Sequence, residues 1–333
     1  MIDLDRPTIL PRPRGPWSRA VLETVTRAAA PPVPELSSSP LDDDDMQLAL
    51  YLVYELHYRG LEGVPDEMEW DLDLFSFRRR MEEGFQQALL AQVPLEPVEP
   101  TDVATELRHL DTGSSALARF MARKATLEQV KEFVVHRSAY HLKEADPHTF
   151  AIPRLGGAPK SAFAEIQADE YGGGVPERIH AHLFASMMQG LGLDPRPGAY
   201  LDRIPGTSLA TVNLMSFFGL NRRWRGAAVG HLALFELGSS IPNRMYGDGL
   251  RRLGFDTSVT EFHDEHVEAD AVHSMLATYD VAGRLATDNP HLAQDIVFGA
   301  RALDAIEGRA SRHLLDQWRR DASSLRPEKK AAA

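Results

Sequence analysis

The chain has 333 residues, 43% of them apolar, which is enough for a large buried core and excludes a chain disordered throughout. Its 36 Lys and Arg stand against 48 Asp and Glu, and a formal charge of -12 repels phosphate backbones and anionic lipid, so neither nucleic acid nor a membrane surface is an expected partner. The absence of cysteine rules out disulfides, thiolate ligation, iron–sulfur clusters and cysteine nucleophiles, so any metal must be held by nitrogen and oxygen. No apolar run approaches the roughly 18 residues of a membrane span, and Met1 to Pro16 lacks a signal-peptide core, which makes the cytoplasm the expected location.

Residues 1–44 hold eight of the 22 prolines. Because proline removes a donor and fixes φ, this stretch is expected to be an irregular, acidic, Pro-rich arm. Asp42 to Asp45 then read as a negatively charged cap and first turn for a buried helix carrying Met46, Leu48, Leu50, Val53 and Leu56. A second helix over 71–92 runs into the stiff connector 93–100, so 45–100 reads as a helical extension and linker. Over 101–325, apolar residues recur at three-and-four spacing in segments 104–122, 126–143, 158–170, 177–191, 207–218, 224–253, 256–281, 288–305 and 307–320. No period-two run of β-branched residues interrupts them. The predicted class is all-α, a helical bundle, with a frayed tail at 326–333.

Nine of the 13 histidines fall between His136 and His273, interleaved with carboxylates. His266, Asp270 and His273 stand at i, i+4 and i+7, which confines them to an arc of about 60° on one helix face. Imidazole, carboxylate and imidazole on one face suit iron, manganese or zinc; a solvated charged face is the alternative. The flanking Val267, Ala271, Val272, Met275 and Leu276 favour burial, and a buried charged triad must be paired or coordinated. A second cluster surrounds Gly172-Gly173-Gly174 and Pro176, where a broken helix could turn Glu170 and His180 toward one centre. Glu144, just ahead of the break at Pro147, is a third source of a ligand, with Glu132 as its competitor. Arg178 reads as a flanking or surface partner, and Glu236 as either a cap-region charge or an anchor behind the site.

Taken in order, Asp169-Glu170-Tyr171-Gly172-Gly173-Gly174, His180, Glu236-Leu237 with Pro242, Leu250 to Phe255, and the triad His266, Asp270, His273 resemble the haem-oxygenase-like diiron oxidases and oxygenases, also called the iron-containing redox enzyme family. The resemblance implies a haem-oxygenase-like bundle over about two thirds of the chain. It further implies two irons held by Glu144, Glu170, His180, His266, Asp270 and His273, and O2 as co-substrate. With it come the oxidation of a small substrate, amino-acid-like or amine-like, and room for an external electron source and a homodimer. Haem, the fold's other association, would leave the clustered carboxylates unexplained and mutually repulsive. Two rival classes stand beside this one: a zinc or manganese hydrolase on the same ligands, and a helical binding or scaffold protein whose His and carboxylate groups are merely paired.

Overall fold

The computed structural model describes residues 3–28, 31–111 and 115–328; the side chains of residues 270 and 271 lie outside that description. The helices are, in order, α1 (Pro16–Val25), α2 (Asp44–Glu55), α3 (Leu72–Gln92), α4 (Val103–Leu110), α5 (Ala116–Arg123), α6 (Leu127–His141) and α7 (Asp146–Thr149). They continue as α8 (Gly157–Glu170), α9 (His180–Gly190), α10 (Gly206–Leu220), α11 (Arg225–Arg252), α12 (Thr257–Met275), α13 (Arg284–Asp288) and α14 (Ala293–Trp318). Among the described residues the β structure is a single bridge between Thr8 and Leu61. The all-α expectation therefore holds.

Helix α10 is buried nearly all round, with Leu209, Val212, Leu214, Phe217 and Phe218 in the core, which is the pattern of a helix enclosed by others. Helix α11 lies along α12, α14 and α5 and forms the spine of the bundle. It continues through Pro242, which removes one intrahelical donor just beyond Glu236. Helix α12 passes into a π-helical stretch at Leu276–Gly283, a wider turn often found beside functional groups.

Four boundaries differ from the sequence expectation, the first being the segment expected at 104–122, which forms two helices, α4 and α5, with Ser115 capping the second. The Pro-rich arm contains helix α1, whose Trp17, Ala20, Val21 and Val25 are buried in the same core as α2, α3 and α10. Pro16 stands at its first turn, where a missing N–H costs nothing, so proline density was a poor guide there. Asp45 serves α1, accepting from the backbone of Trp17 and Ser18, while Asp43 caps α2. The two segments expected at 288–305 and 307–320 form the single helix α14. Of the expected tail, Arg326 is anchored by its Nε donating to Asp44 at 2.7 Å, and residues 329–333 lie outside the described residues.

Candidate metal centre

Glu144 lies in the turn after α6, Glu170 in the last turn of α8, His180 at the start of α9, Glu236 in α11, and His266 and His273 in α12. All six are 2–6% exposed. The break between α8 and α9 is what allows Glu170 and His180 to meet. Gly172, Gly173 and Gly174 have φ of 78°, 58° and 88°, the left-handed region, and a Cβ on Gly172 would stand 2.8 Å from the Ile179 backbone nitrogen. The chain reverses there, and His180 Nδ1 arrives 2.9 Å from Glu170 Oε2.

The ligand-type atoms fall into two groups. Glu144, Glu170, His180 and His266 each offer one atom, all within 4.8 Å of one another. Glu170, Glu236 and His273 form a second group by the same measure. Glu170 belongs to both, so its carboxylate stands where it could bridge two ions. Asp270 lies in α12 between the two histidines; its side chain falls outside the described residues.

The contacts around these atoms orient them inward. His266 Nδ1–H donates to the Phe262 carbonyl at 2.7 Å, which leaves Nε2 facing Glu144 at 3.5 Å. His273 Nε2–H donates to Asp169 at 3.0 Å, leaving Nδ1 at 3.4 Å from Glu236. An outer acceptor that sets the tautomer of an imidazole is the usual support of a metal-binding histidine. Glu144 accepts from Tyr140 at 3.2 Å and meets His141 Nδ1 at 2.8 Å, so one of its oxygens is fixed from behind. Its other oxygen, with His180 Nδ1 and His273 Nδ1, is buried and lacks an aligned hydrogen bond among the described residues. Buried nitrogen and oxygen atoms that converge without hydrogen-bond alignment have desolvation costs that a bound cation would offset. The donor set therefore fits iron, a nitrogen-and-oxygen-ligated ion.

The electrostatics agree. Burial alone would raise the Glu144 carboxyl, but the imidazoles of His141 and His266 hold it well below the usual carboxylate range. Glu170 is likewise raised by burial and brought below its ordinary value by His180. Burial pushes Glu236 up. Burial would lower His273, yet Glu236 and Asp169 push it up to about 9. Without metal, the protonated imidazole of His273 supplies positive charge beside Glu236, the role an ion would take over there.

The other expectations sort cleanly. Glu132, the competitor of Glu144, is brought to neither group: it accepts from Trp318, Ser323 and Ser324 and ties down the chain after α14. Arg178 is exposed and pairs with Glu265 at 2.6 Å, a surface partner. Glu236 stands mid-helix in α11, so it is no cap charge; its Oε2 lies 3.4 Å from His273 Nδ1, and its carboxylate falls within the second group. Its signal in the sequence was a lone carboxylate in an apolar helix, Leu234-Phe235-Glu236-Leu237, where burial forces pairing or coordination.

Two sizeable cavities lie at or near the centre. A cavity of about 650 Å³ touches Glu144, Glu170 and His180 and is walled by Arg59, Lys143 and Asp146. A second cavity, of about 220 Å³, has Phe133, Phe184, Phe235 and Phe262 in its walls and reaches His141.

Residues 131–308, more than half of the chain, match the family model described as iron-containing redox enzyme. The chain belongs to this family. Its helical architecture is accordingly the haem-oxygenase-like one. A nitrosourea synthase of Streptomyces achromogenes subsp. streptozoticus is 29% identical over 138 residues, which cover 41% of this chain and 29% of that protein. The match thus spans under a third of the relative. No helix among the described residues is long and apolar enough to cross a membrane.

Proposed function

We propose that this iron-containing redox enzyme family member is a non-haem diiron oxidase or oxygenase that uses O2 to oxidise a small substrate. The observation that carries the reading is Glu170 shared between two buried ligand groups, which is the arrangement a pair of neighbouring ions needs and a single ion does not. Glu144, His180 and His266 would hold one iron, and Glu236 and His273 the other. Asp270, on the same face of α12 as the two histidines, would complete the set. When bound, two irons with open positions supply O2 activation.

The chain's own groups supply orientation, charge and exclusion of water. Asp169 and the Phe262 carbonyl hold His273 and His266 in one tautomer. Tyr140 and His141 fix one oxygen of Glu144. Phe184 and Phe262, with ring centroids 5.1 Å apart, form part of the wall of the smaller cavity, whose aromatic lining suits an organic substrate. An amine-like or amino-acid-like substrate fits that size, and the resemblance to a nitrosourea synthase supports nitrogen-containing substrates without selecting one.

Anaerobic titration with Fe(II) tests the reading. Two equivalents bound per chain, followed by an O2-dependent optical transient, is the expected result. One equivalent, or activity that persists with zinc alone, would favour the hydrolase instead, because zinc has no redox chemistry.

A further inference from the structure

A polar pair in the core and an arginine-rich face remain outside this account, and they are connected. His148 Nε2 and His231 Nδ1 lie 3.0 Å apart, both rings buried, and His231 Nε2 has no hydrogen-bond partner among the described residues. Two apolar residues of similar shape would avoid that cost, so packing does not explain the pair. Inward, His148 shares a void of about 10 Å³ with Glu144, Glu170 and Glu236. Outward, the His231 ring centroid is 6.3 Å from Phe218, and Phe218 is 6.1 Å from Trp224. Trp224 is 3% exposed and lies directly beneath the surface, with the exposed Arg223 guanidinium 4.3 Å over its ring.

That surface is basic in an acidic chain. Arg222, Arg223 and Arg225 follow one another around Trp224. Arg154, bound to the Gly219 and Leu220 carbonyls at the end of α10, lies close enough to Arg78 and Arg222 for their charges, after burial, to lower its own pKa. Among the described residues the ion pairs of these five guanidinium groups are Arg78 with Glu82 and Arg223 with Asp295, which leaves a net positive field. We propose that this face docks an acidic one-electron carrier protein, which reduces the iron pair through the packed rings of Trp224, Phe218, His231 and His148. This rests on the diiron reading above. Each reduced carrier gives up one electron, so two carriers return a diferric pair to the diferrous state, and no bond in the protein forms or breaks. The contact relies on charge, as brief electron-transfer encounters do.

The test compares two reductants on the iron-loaded protein: an acidic plant-type [2Fe–2S] ferredoxin and dithionite. In Arg222→Glu/Arg225→Glu, reduction by ferredoxin should slow roughly tenfold or more at low salt, while the dithionite rate stays unchanged. Arg223 is left in place because it neutralises the buried Asp295. Raising the salt should slow the wild-type ferredoxin reaction in the same way. A matched charge change at Arg319 and Arg320, at the other end of α14 and about 36 Å from the Asp295 that pairs with Arg223, should have no effect. A ferredoxin rate that is indifferent to both salt and the arginine changes overturns the proposal, as does an equal loss with both reductants. Salt-dependent binding of ferredoxin to the iron-free chain is measured separately. If the chain binds no iron pair, the diiron reading fails by that result alone, and the docking face stands or falls on this binding measurement.

Discussion

Lys143 and Glu144 are adjacent in sequence and almost equally buried, at 3% and 4% exposed, yet they face opposite solutions to the same problem. Lys143 meets Glu55 in a buried ion pair and sits 4.4 Å from the ring centroids of both Tyr51 and Tyr58, while Glu55 also accepts from Thr8 at 2.8 Å. Every charge in that cluster is answered by the chain itself. Glu144 turns the other way, into a group of carboxylates and imidazoles that contains no fixed cation. A low-dielectric interior tolerates the first arrangement because opposite charges are built in. It tolerates the second only by protonating imidazole or carboxylate groups or by taking up metal. One cluster is finished by folding; the other is completed by an ion.

Changes to the open cluster should give the largest effects, and they should appear in iron rather than in folding. Glu170→Ala removes the shared carboxylate, and bound iron is expected to fall to background in anaerobic metal analysis. His266→Ala and Glu236→Ala should each retain at most one iron; a wild-type content of two in Glu236→Ala would remove it from the site. The closed cluster should behave in the opposite sense. Lys143→Met leaves the Glu55 carboxylate buried and unpaired, with an expected loss of about 3–5 kcal/mol in denaturant unfolding. Its iron stoichiometry should be unchanged in whatever fraction remains folded.

Smaller effects sharpen the contrast at the edges of the metal centre. Asp169→Asn weakens the acceptor behind His273 and should cost about tenfold in iron affinity with little change in stability. The pH dependence of the iron-free protein gives a further check. His273 is raised above its ordinary value to about 9, so its stabilising contribution is complete below about pH 6.5 and is lost as the pH climbs through 9. Amides 262–276 should therefore lose hydrogen-exchange protection over that interval, after correction for intrinsic rates. Iron should restore protection at either pH, and His273→Gln should abolish the pH difference. At the bottom of the scale, Arg178→Ala breaks an exposed pair and should change stability by less than about 1 kcal/mol and iron content not at all.

Much of this protein was legible in local pattern. Helical class followed from three-and-four spacing, and the face shared by His266 and His273 from helix periodicity alone. The glycine triplet announced the turn that carries His180 to Glu170. Glu144 was separable from Glu132 only in three dimensions, because both are carboxylates of one helical stretch and only packing brings Glu144 to Glu170, His180 and His266. Glu132 was claimed by Trp318, Ser323 and Ser324, almost two hundred residues away. Glu236 stayed ambiguous for a similar reason. A lone buried carboxylate must find a partner, but nothing near it in the chain says which one.

Chain-local periodicity determined the helices, their caps and the residue types available for nitrogen-and-oxygen coordination, since these depend on interactions within a few residues of each other. The tertiary packing decided the rest: that Glu170 is shared, that Glu236 joins it, and that Trp224, Phe218, His231 and His148 run from an arginine face to the same centre. Convergence of side chains from five separate segments is set by how helices cross and where burial strips away water, and neither is written in any single stretch of sequence.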